Sequence, residues 1–192
     1  MITYKNKSLM KEKILVTGGT GYIGSHTVVE LQNAGYEVVI IDNLSNSSAD
    51  VVDNIEKVSG IRPAFEKLDC LDFAGLDAVF TKYKGIKAII HFAASKAVGE
   101  SVQKPLLYYR NNLVSLINLL ELMPKHGVEG IVFSSSCTVY GQPDELPVTE
   151  KAPIKKAESP YGNTKQINEE IVRDTVASGA PINAILLRYF NP

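Results

Sequence analysis

The chain has 192 residues, 20 Lys plus Arg against 21 Asp plus Glu, and 45% hydrophobic residues, proportions of one ordinary globular domain with a sizeable core. A formal charge of −1, with no run of five or more basic residues, excludes the electrostatic footprint of a nucleic-acid or anionic-membrane binder and points to a small partner. No apolar run reaches the roughly 18 to 20 residues that span a bilayer, and the opening MITYKNKSLMKEK lacks the apolar stretch of a signal peptide, so the expected location is the cytoplasm.

From Ile14 almost to the end, apolar runs alternate with segments of helical period. A strand is predicted over residues 14–17, followed by a helix over 22–34 that stops at Gly35, a residue suited to the left-handed position past a helix end. A second strand (37–42) and helix (49–58) precede a third strand (63–68) and helix (73–82). A fourth strand (87–92) leads into a long helix (102–122) ending before Pro124, with Pro105 confined to its first turn. A fifth strand covers 130–134. The last helix opens with Ser159 as cap and Pro160 in the first turn, and Ile167, Ile171, Val172 and Val176 form its apolar stripe. A sixth strand covers 184–189. Right-handed crossovers make this an α/β, doubly wound Rossmann-type parallel sheet, most simply ordered 3-2-1-4-5-6, with helices on both faces and ligands at the strand carboxyl ends.

The strongest local signal is VTGGTGYIG, residues 16–24, where the first strand turns into the first helix. Gly18, Gly21 and Gly24 fall three apart, and Gly19, Gly21 and Gly24 also satisfy G-x-G-x-x-G. Such glycines let the backbone turn tightly and approach a pyrophosphate, whose charge then faces helix N-terminal amides. Asp42 ends the second strand, 18 residues after Gly24. Its carboxylate is placed to accept from a ribose diol and to repel a 2′-phosphate. With no Arg or Lys between Glu37 and Val52, NAD is favoured over NADP.

Tyr161 and Lys165 are four apart in the first turns of the last helix and share one face. Such a pair also occurs as plain surface decoration. As a catalytic pair, half-ionising the phenol at pH 7 needs about 4 kcal/mol of preferential stabilisation of the anion, which a nearby ammonium and an oxidised nicotinamide can supply. The run Ser134-Ser135-Ser136-Cys137-Thr138 follows the fifth strand and would bring a hydroxyl, best Ser136, to the same ligand oxygen. The two cysteines, Cys70 and Cys137, and the three histidines, His26, His91 and His126, have no partners at ligand spacing, so neither a disulfide nor a metal site is expected.

The segments VTGGTGYIGSH, IIDNLSNS, HFAASKAVGES, YYRNN, FSSSCTVYG, SPYGNTK and LLRYFNP together resemble the extended short-chain dehydrogenase/reductase family, in its nucleotide-sugar 4-epimerase branch. The resemblance implies that Tyr161 is the catalytic base, that Ser136 steadies the sugar hydroxyl, and that Lys165 holds ribose hydroxyls and lowers the tyrosine's pKa. It further implies NAD contacts from Tyr22 and Ile23 at the pyrophosphate. Asp42, Asn43, Leu44, Ser45, Asn46 and Ser47 would surround the adenosine ribose, and Asp69 and Cys70 would lie near adenine. Phe92, Ala93, Ala94, Ser95, Lys96, Asn111 and Phe190 would line the rest of the cleft. Substrate would meet Lys96, Ser136, Tyr161 and Asn191.

The implied reaction interconverts UDP-glucose and UDP-galactose, in galactose metabolism, through a 4-keto sugar with NAD regenerated each cycle. The alternatives are epimerisation of another UDP-sugar and a noncatalytic NAD-binding sensor, which would need only the glycine turn and Asp42. A sugar dehydratase is disfavoured, because Cys137 and Thr138 stand where that chemistry needs an Asp-Glu pair. Ala94-Ser95 and Asn163-Thr164 are mild departures from the family pattern. Residues 1–12 read as an extension and 13–192 as one NAD-binding domain. The family continues into a carboxy-terminal lobe carrying most uridine diphosphate contacts, so the expectation is that these 192 residues bind NAD, act poorly alone, and form a homodimer when full length.

Overall fold

A computed structural model describes residues 11–190; Asn191, expected at the substrate, and most of the 1–12 extension lie outside the described residues. Strands β1 (Lys13–Thr17), β2 (Glu37–Asp42), β3 (Ala64–Lys67), β4 (Ile86–His91), β5 (Gly130–Ser136) and β6 (Asn183–Tyr189) pair in parallel in the order β3-β2-β1-β4-β5-β6. Successive side chains of a strand point to opposite faces, and in β1 and β2 both faces are covered, whereas edge strand β6 leaves Ile185 and Leu187 exposed. Leu15, Val39, Ile41 and Ile89 enter one core cluster, whereas Ile14, Val16, Val38 and Ile40 enter the other. That double burial is why β1 and β2 are continuous apolar runs rather than alternating ones.

Helices α1 (Tyr22–Asn33) and α2 (Asp50–Ser59) cover the second cluster through Val28 and Ile55. On the opposite face, α3 (Phe73–Lys82), α5 (Pro105–Lys125) and α6 (Pro160–Ala177) contribute Leu76, Leu116 and Val172 to the first. Helix α3 falls on the residues the sequence predicts, and Gly35 adopts the expected left-handed conformation at φ 94°.

The single helix expected over 102–122 is two. Helix α4 (Val98–Gln103) ends at Lys104, held at φ −129° and ψ 57° because the Pro105 ring bars the residue before it from helical geometry. Helix α5 then runs through Pro124 to Lys125, beyond the expected stop; the restriction a proline places on the residue before it is a tendency, which Lys104 follows and Met123 does not. Strand β5 continues two residues past its expected end, because Ser134, Ser135 and Ser136 pair with Leu187, Arg188 and Tyr189 of β6.

The start of α6 is as predicted, with Ser159 Oγ accepting from the Gly162 N–H at 3.1 Å. Its buried face is not the apolar stripe. Thr164, Lys165, Asn168 and Glu169 are buried along with Val172, whereas Ile167 and Ile171 are half-buried and Val176 is exposed. No helix among the described residues is long and apolar enough to cross a membrane.

Candidate active site

Two glycines of the loop between β1 and α1 are fixed by space. Gly18 adopts φ 70°, and a side chain there would meet the Ala93 backbone nitrogen at 2.7 Å; one on Gly24 would meet the Gly18 carbonyl oxygen at 2.2 Å. Gly21 differs, since a Cβ there would meet only that same carbonyl, at 3.2 Å. Gly21 is the N-cap of α1, and no side chain caps the helix. Helix N-terminal amides without protein acceptors seek an anion. The open side of Gly21, the backbone of Tyr22 and Ile23, and the exposed Tyr22 ring therefore form a cradle that fits a pyrophosphate.

Asp42, at the end of β2, is buried and ties the glycine loop to the next loop. Its Oδ2 accepts from the Thr20 N–H at 3.2 Å, and its Oδ1 accepts from the Leu44 N–H at 2.9 Å and the Ser47 hydroxyl at 3.3 Å. A carboxylate has about four acceptor sites, so capacity remains for a ribose hydroxyl. Leu44 sits at φ 60°, a conformation that non-glycine residues seldom hold, and the Asp42 carboxylate accepting from its N–H holds it there. Asn43 Oδ1 accepts from the Ser45 N–H, and Asn43 Nδ2 donates to Asp69 at 2.9 Å, linking the loops after β2 and β3. Asn46 is exposed in the same loop. Cys70 belongs to the hydrophobic core, and burial, reinforced by Asp69 and Asp42, pushes its thiol up to about 12. Only its backbone can serve a ligand.

The segment after β4 lies across the Gly18 turn. Its Ser95 is held by α5: Asn111 Nδ2 donates to Ser95 Oγ at 3.1 Å, and Asn112 both accepts from the Ser95 N–H at 2.8 Å and donates to its carbonyl at 3.0 Å. Phe92, Ala93 and Ala94 are half-buried and Lys96 is exposed. Phe190 follows β6 and stacks on Tyr140 at 6.1 Å between ring centroids.

Ser136 closes β5; from α6, Tyr161 meets its hydroxyl and Lys165 reaches the same strand at Ser134. Lys165 is buried, donates to the Ser134 carbonyl at 2.7 Å, and its ammonium lies 4.9 Å from the Phe133 ring centroid and 5.8 Å from that of Tyr161. Burial draws its pKa down to about 8. The Tyr161 phenol is raised by burial; the Ser136 hydroxyl pulls it down and the Cys137 thiol pushes it up. The expected lowering by Lys165 is therefore not seen in the protein alone, because the ammonium turns to a backbone carbonyl instead of the phenol. An acid-base pair matched near neutrality needs a further positive charge beside Tyr161.

His91, buried in the sheet below, bonds Thr17 Oγ1 at 2.7 Å, and burial together with the Lys165 charge lowers its pKa to about 3, so it is neutral and structural. Among the described residues no group of acidic, histidine or cysteine side chains is placed to hold a metal.

Sequence reasoning missed Asn112, Asn118 and Glu169. Asn112 holds Ser95 and donates to Thr164 at 3.0 Å, while Asn118 donates to the Cys70 carbonyl at 2.9 Å. All are polar residues buried on helices, and a pattern search for apolar stripes passes over them.

A glycine turn open to an anion, a carboxylate at the neighbouring strand end and a Ser–Tyr–Lys group at the same sheet edge define a dinucleotide-binding domain equipped for proton transfer. The chain belongs to the NAD dependent epimerase/dehydratase family, whose model matches residues 14–192. It is 52% identical over 187 residues to the UDP-glucose 4-epimerase of Mus musculus, covering 94% of this chain and 54% of the mouse protein. Against the UDP-glucose 4-epimerase of Bacillus subtilis it is 53% identical over 179 residues, covering 93% of this chain and 52% of that protein. The crystal structure of UDP-glucose 4-epimerase from Bifidobacterium longum in complex with NAD+ and UDP superposes with a TM-score of 0.91 at 47% identity, over 94% of this chain and 53% of that one. The chain spans about half the length of the curated relatives it matches.

Proposed function

We propose that this chain is the cofactor-binding and proton-transfer part of an NAD-dependent nucleotide-sugar 4-epimerase that interconverts UDP-glucose and UDP-galactose. The observation that carries the reading is that Ser136, Tyr161 and Lys165 gather at the carboxyl end of β5, in the same parallel sheet whose β1 leads at its carboxyl end into the uncapped α1 N-terminus. NAD, when bound, supplies a hydride acceptor and a positive charge. Gly21, Tyr22 and Ile23 hold the pyrophosphate, and Asp42 accepts from the adenosine ribose. Ser136 orients the sugar 4-hydroxyl, Tyr161 takes its proton and later returns it, and Lys165 keeps positive charge next to the phenol. Relatives named for UDP-glucose support this sugar over other nucleotide sugars. The intact proton-transfer group, which a sensor does not require, supports an enzyme.

The test is conversion of UDP-galactose to UDP-glucose by the NAD-loaded protein, completed with the carboxy-terminal part of a relative so that turnover is measurable, and by its Tyr161→Phe variant. The reading expects the variant to keep NAD and lose turnover by at least about a hundredfold; equal turnover would overturn it. A homodimer through α5 and α6 is part of the reading. It is supported by the exposed apolar residues Leu106, Val114 and Ile117 on α5 and Val176 on α6, and sedimentation of the protein checks it.

A further inference from the structure

Glu169 lies one turn beyond Lys165 and two beyond Tyr161 on one face of α6, and 1% of its side chain is exposed. Its carboxylate is saturated. Oε1 accepts from Ser135 Oγ at 2.6 Å and Arg188 Nε at 2.9 Å; Oε2 accepts from Arg173 and from Arg188 Nη2, each at 2.7 Å. Four donors match the roughly four acceptor sites of a carboxylate. The donors are spread over the structure around the site. Ser135 and Arg188 are cross-strand partners in β5 and β6, and Arg188 Nη1 donates to the Tyr140 hydroxyl at 2.9 Å in the 3₁₀ turn after β5.

A buried ion pair is a poor route to stability, because well-packed apolar residues of similar size often serve as well or better. Its geometric definition is what an apolar contact would lack. Glu169 fixes where α6 stands against β5, and those two elements carry the groups that must meet. Ser136 is the next residue after Ser135, and Lys165 grips the Ser134 carbonyl one residue before it. Misplacing a proton-transfer group by about 1 Å reduces rates by about a hundredfold.

We propose that Glu169, held by Ser135 and the Arg188 fork, is a positioning residue that sets the spacing between Ser136 and Tyr161. The inference rests on the proposed role of Tyr161 and deepens it. Because the Ser136 hydroxyl is what pulls the phenol down against burial, drift of β5 from α6 leaves a Tyr161 that ionises at higher pH.

The experiment is an ultraviolet difference titration of the NAD-loaded protein, with Tyr161→Phe subtracted to isolate one phenol. It is run on wild type, Glu169→Gln, Arg188→Lys and Val172→Ala. Val172 is buried on the same helix without a polar side chain, so its truncation reports loss of packing alone. Glu169→Gln and Val172→Ala both lower the melting temperature. Only Glu169→Gln and Arg188→Lys raise the Tyr161 midpoint, by about half a pH unit or more, the order of one lost hydrogen bond. Should Glu169→Gln fail to fold, Arg188→Lys, which keeps the charge and loses the fork, gives the reading. An unmoved midpoint in the Glu169 and Arg188 variants, or an equal shift in Val172→Ala, overturns the proposal while leaving Tyr161 as base. Unaltered turnover in Tyr161→Phe would remove the role of Tyr161, and the proposal with it.

Discussion

Replacing Gly24 and Gly21 separately by alanine divides the fold's demand on the glycine turn from the ligand's. At Gly24 the new Cβ would stand 2.2 Å from the Gly18 carbonyl oxygen and 2.9 Å from Gly19 Cα, all backbone. Relief requires moving the turn by about 1 Å, and overpacking of this kind costs about 1–3 kcal/mol. For a domain of this size that lowers the melting temperature by about 2–4 °C per kcal/mol. At Gly21 the φ of −71° and ψ of 171° suit any residue, and the single neighbour at 3.2 Å yields by a few tenths of an ångström. Gly21→Ala therefore costs no more than about 1 kcal/mol, the scale of replacing a favoured N-cap residue by alanine, while its methyl group takes up space on the open side of the turn. Thermal unfolding of the NAD-free protein and calorimetric NAD titration, run on both variants, give the answer. Gly24→Ala loses stability and NAD together, whereas Gly21→Ala loses NAD with the smaller loss of stability. A stable Gly24→Ala, or a Gly21→Ala that binds NAD as tightly as wild type, would refute the reasoning.

Oxidised NAD would add a second positive charge to that of Lys165; for scale, two unit charges about 5 Å apart interact by about 3 kcal/mol at an effective dielectric of 20. The Tyr161 midpoint should thus fall by about two pH units on binding NAD+ and far less with NADH, and difference titration reads this directly. Lys165, depressed from 10.5 to about 8, is a base that the folded state prefers neutral, so the unfolded chain binds more protons between those values and stability rises with pH across that window. Lys165→Met abolishes the rise, which is worth about 3 kcal/mol; a stability difference from wild type that stays constant between pH 7 and 10.5 in urea titrations contradicts the assignment. Burial tends to raise the Glu169 carboxyl, but the Arg188 and Ser135 donors win and hold it below 4.5. Its stabilisation is complete above that value and lost as pH falls through the lowered one, so the gap between wild type and Glu169→Gln should close in acid.

The sheet is legible in the sequence because both faces of β1 and β2 are buried, which leaves a run such as Val38 to Ile41 with no polar interruption. The glycine turn is legible because sterics leave little choice at Gly18 and Gly24. Helix α6 shows where pattern reading stops. Its apolar stripe at Ile167, Ile171 and Val176 faces partly outward, while Thr164, Lys165, Asn168 and Glu169 point in. A polar side chain can be buried when its partners lie elsewhere in the chain, and Arg188, 19 residues beyond Glu169, cannot be assigned to it from spacing. The break at Lys104 escapes a reading that grants Pro105 a place in a first turn without asking what the ring does to the residue before it. Equally, the spacing of Tyr161 and Lys165 suggests that the ammonium lowers the phenol, but its nearest acceptor, the Ser134 carbonyl, is visible only in three dimensions.

The central claim is that the Gly18–Gly24 turn and Asp42 bind NAD in front of Ser136 and Tyr161. A native mass spectrum of the protein incubated with equal NAD and NADP tests it most directly. The account predicts one NAD per chain, no NADP, and no adduct in Gly21→Ala. A chain that stays free of NAD, or that takes up NADP in its place, would contradict it.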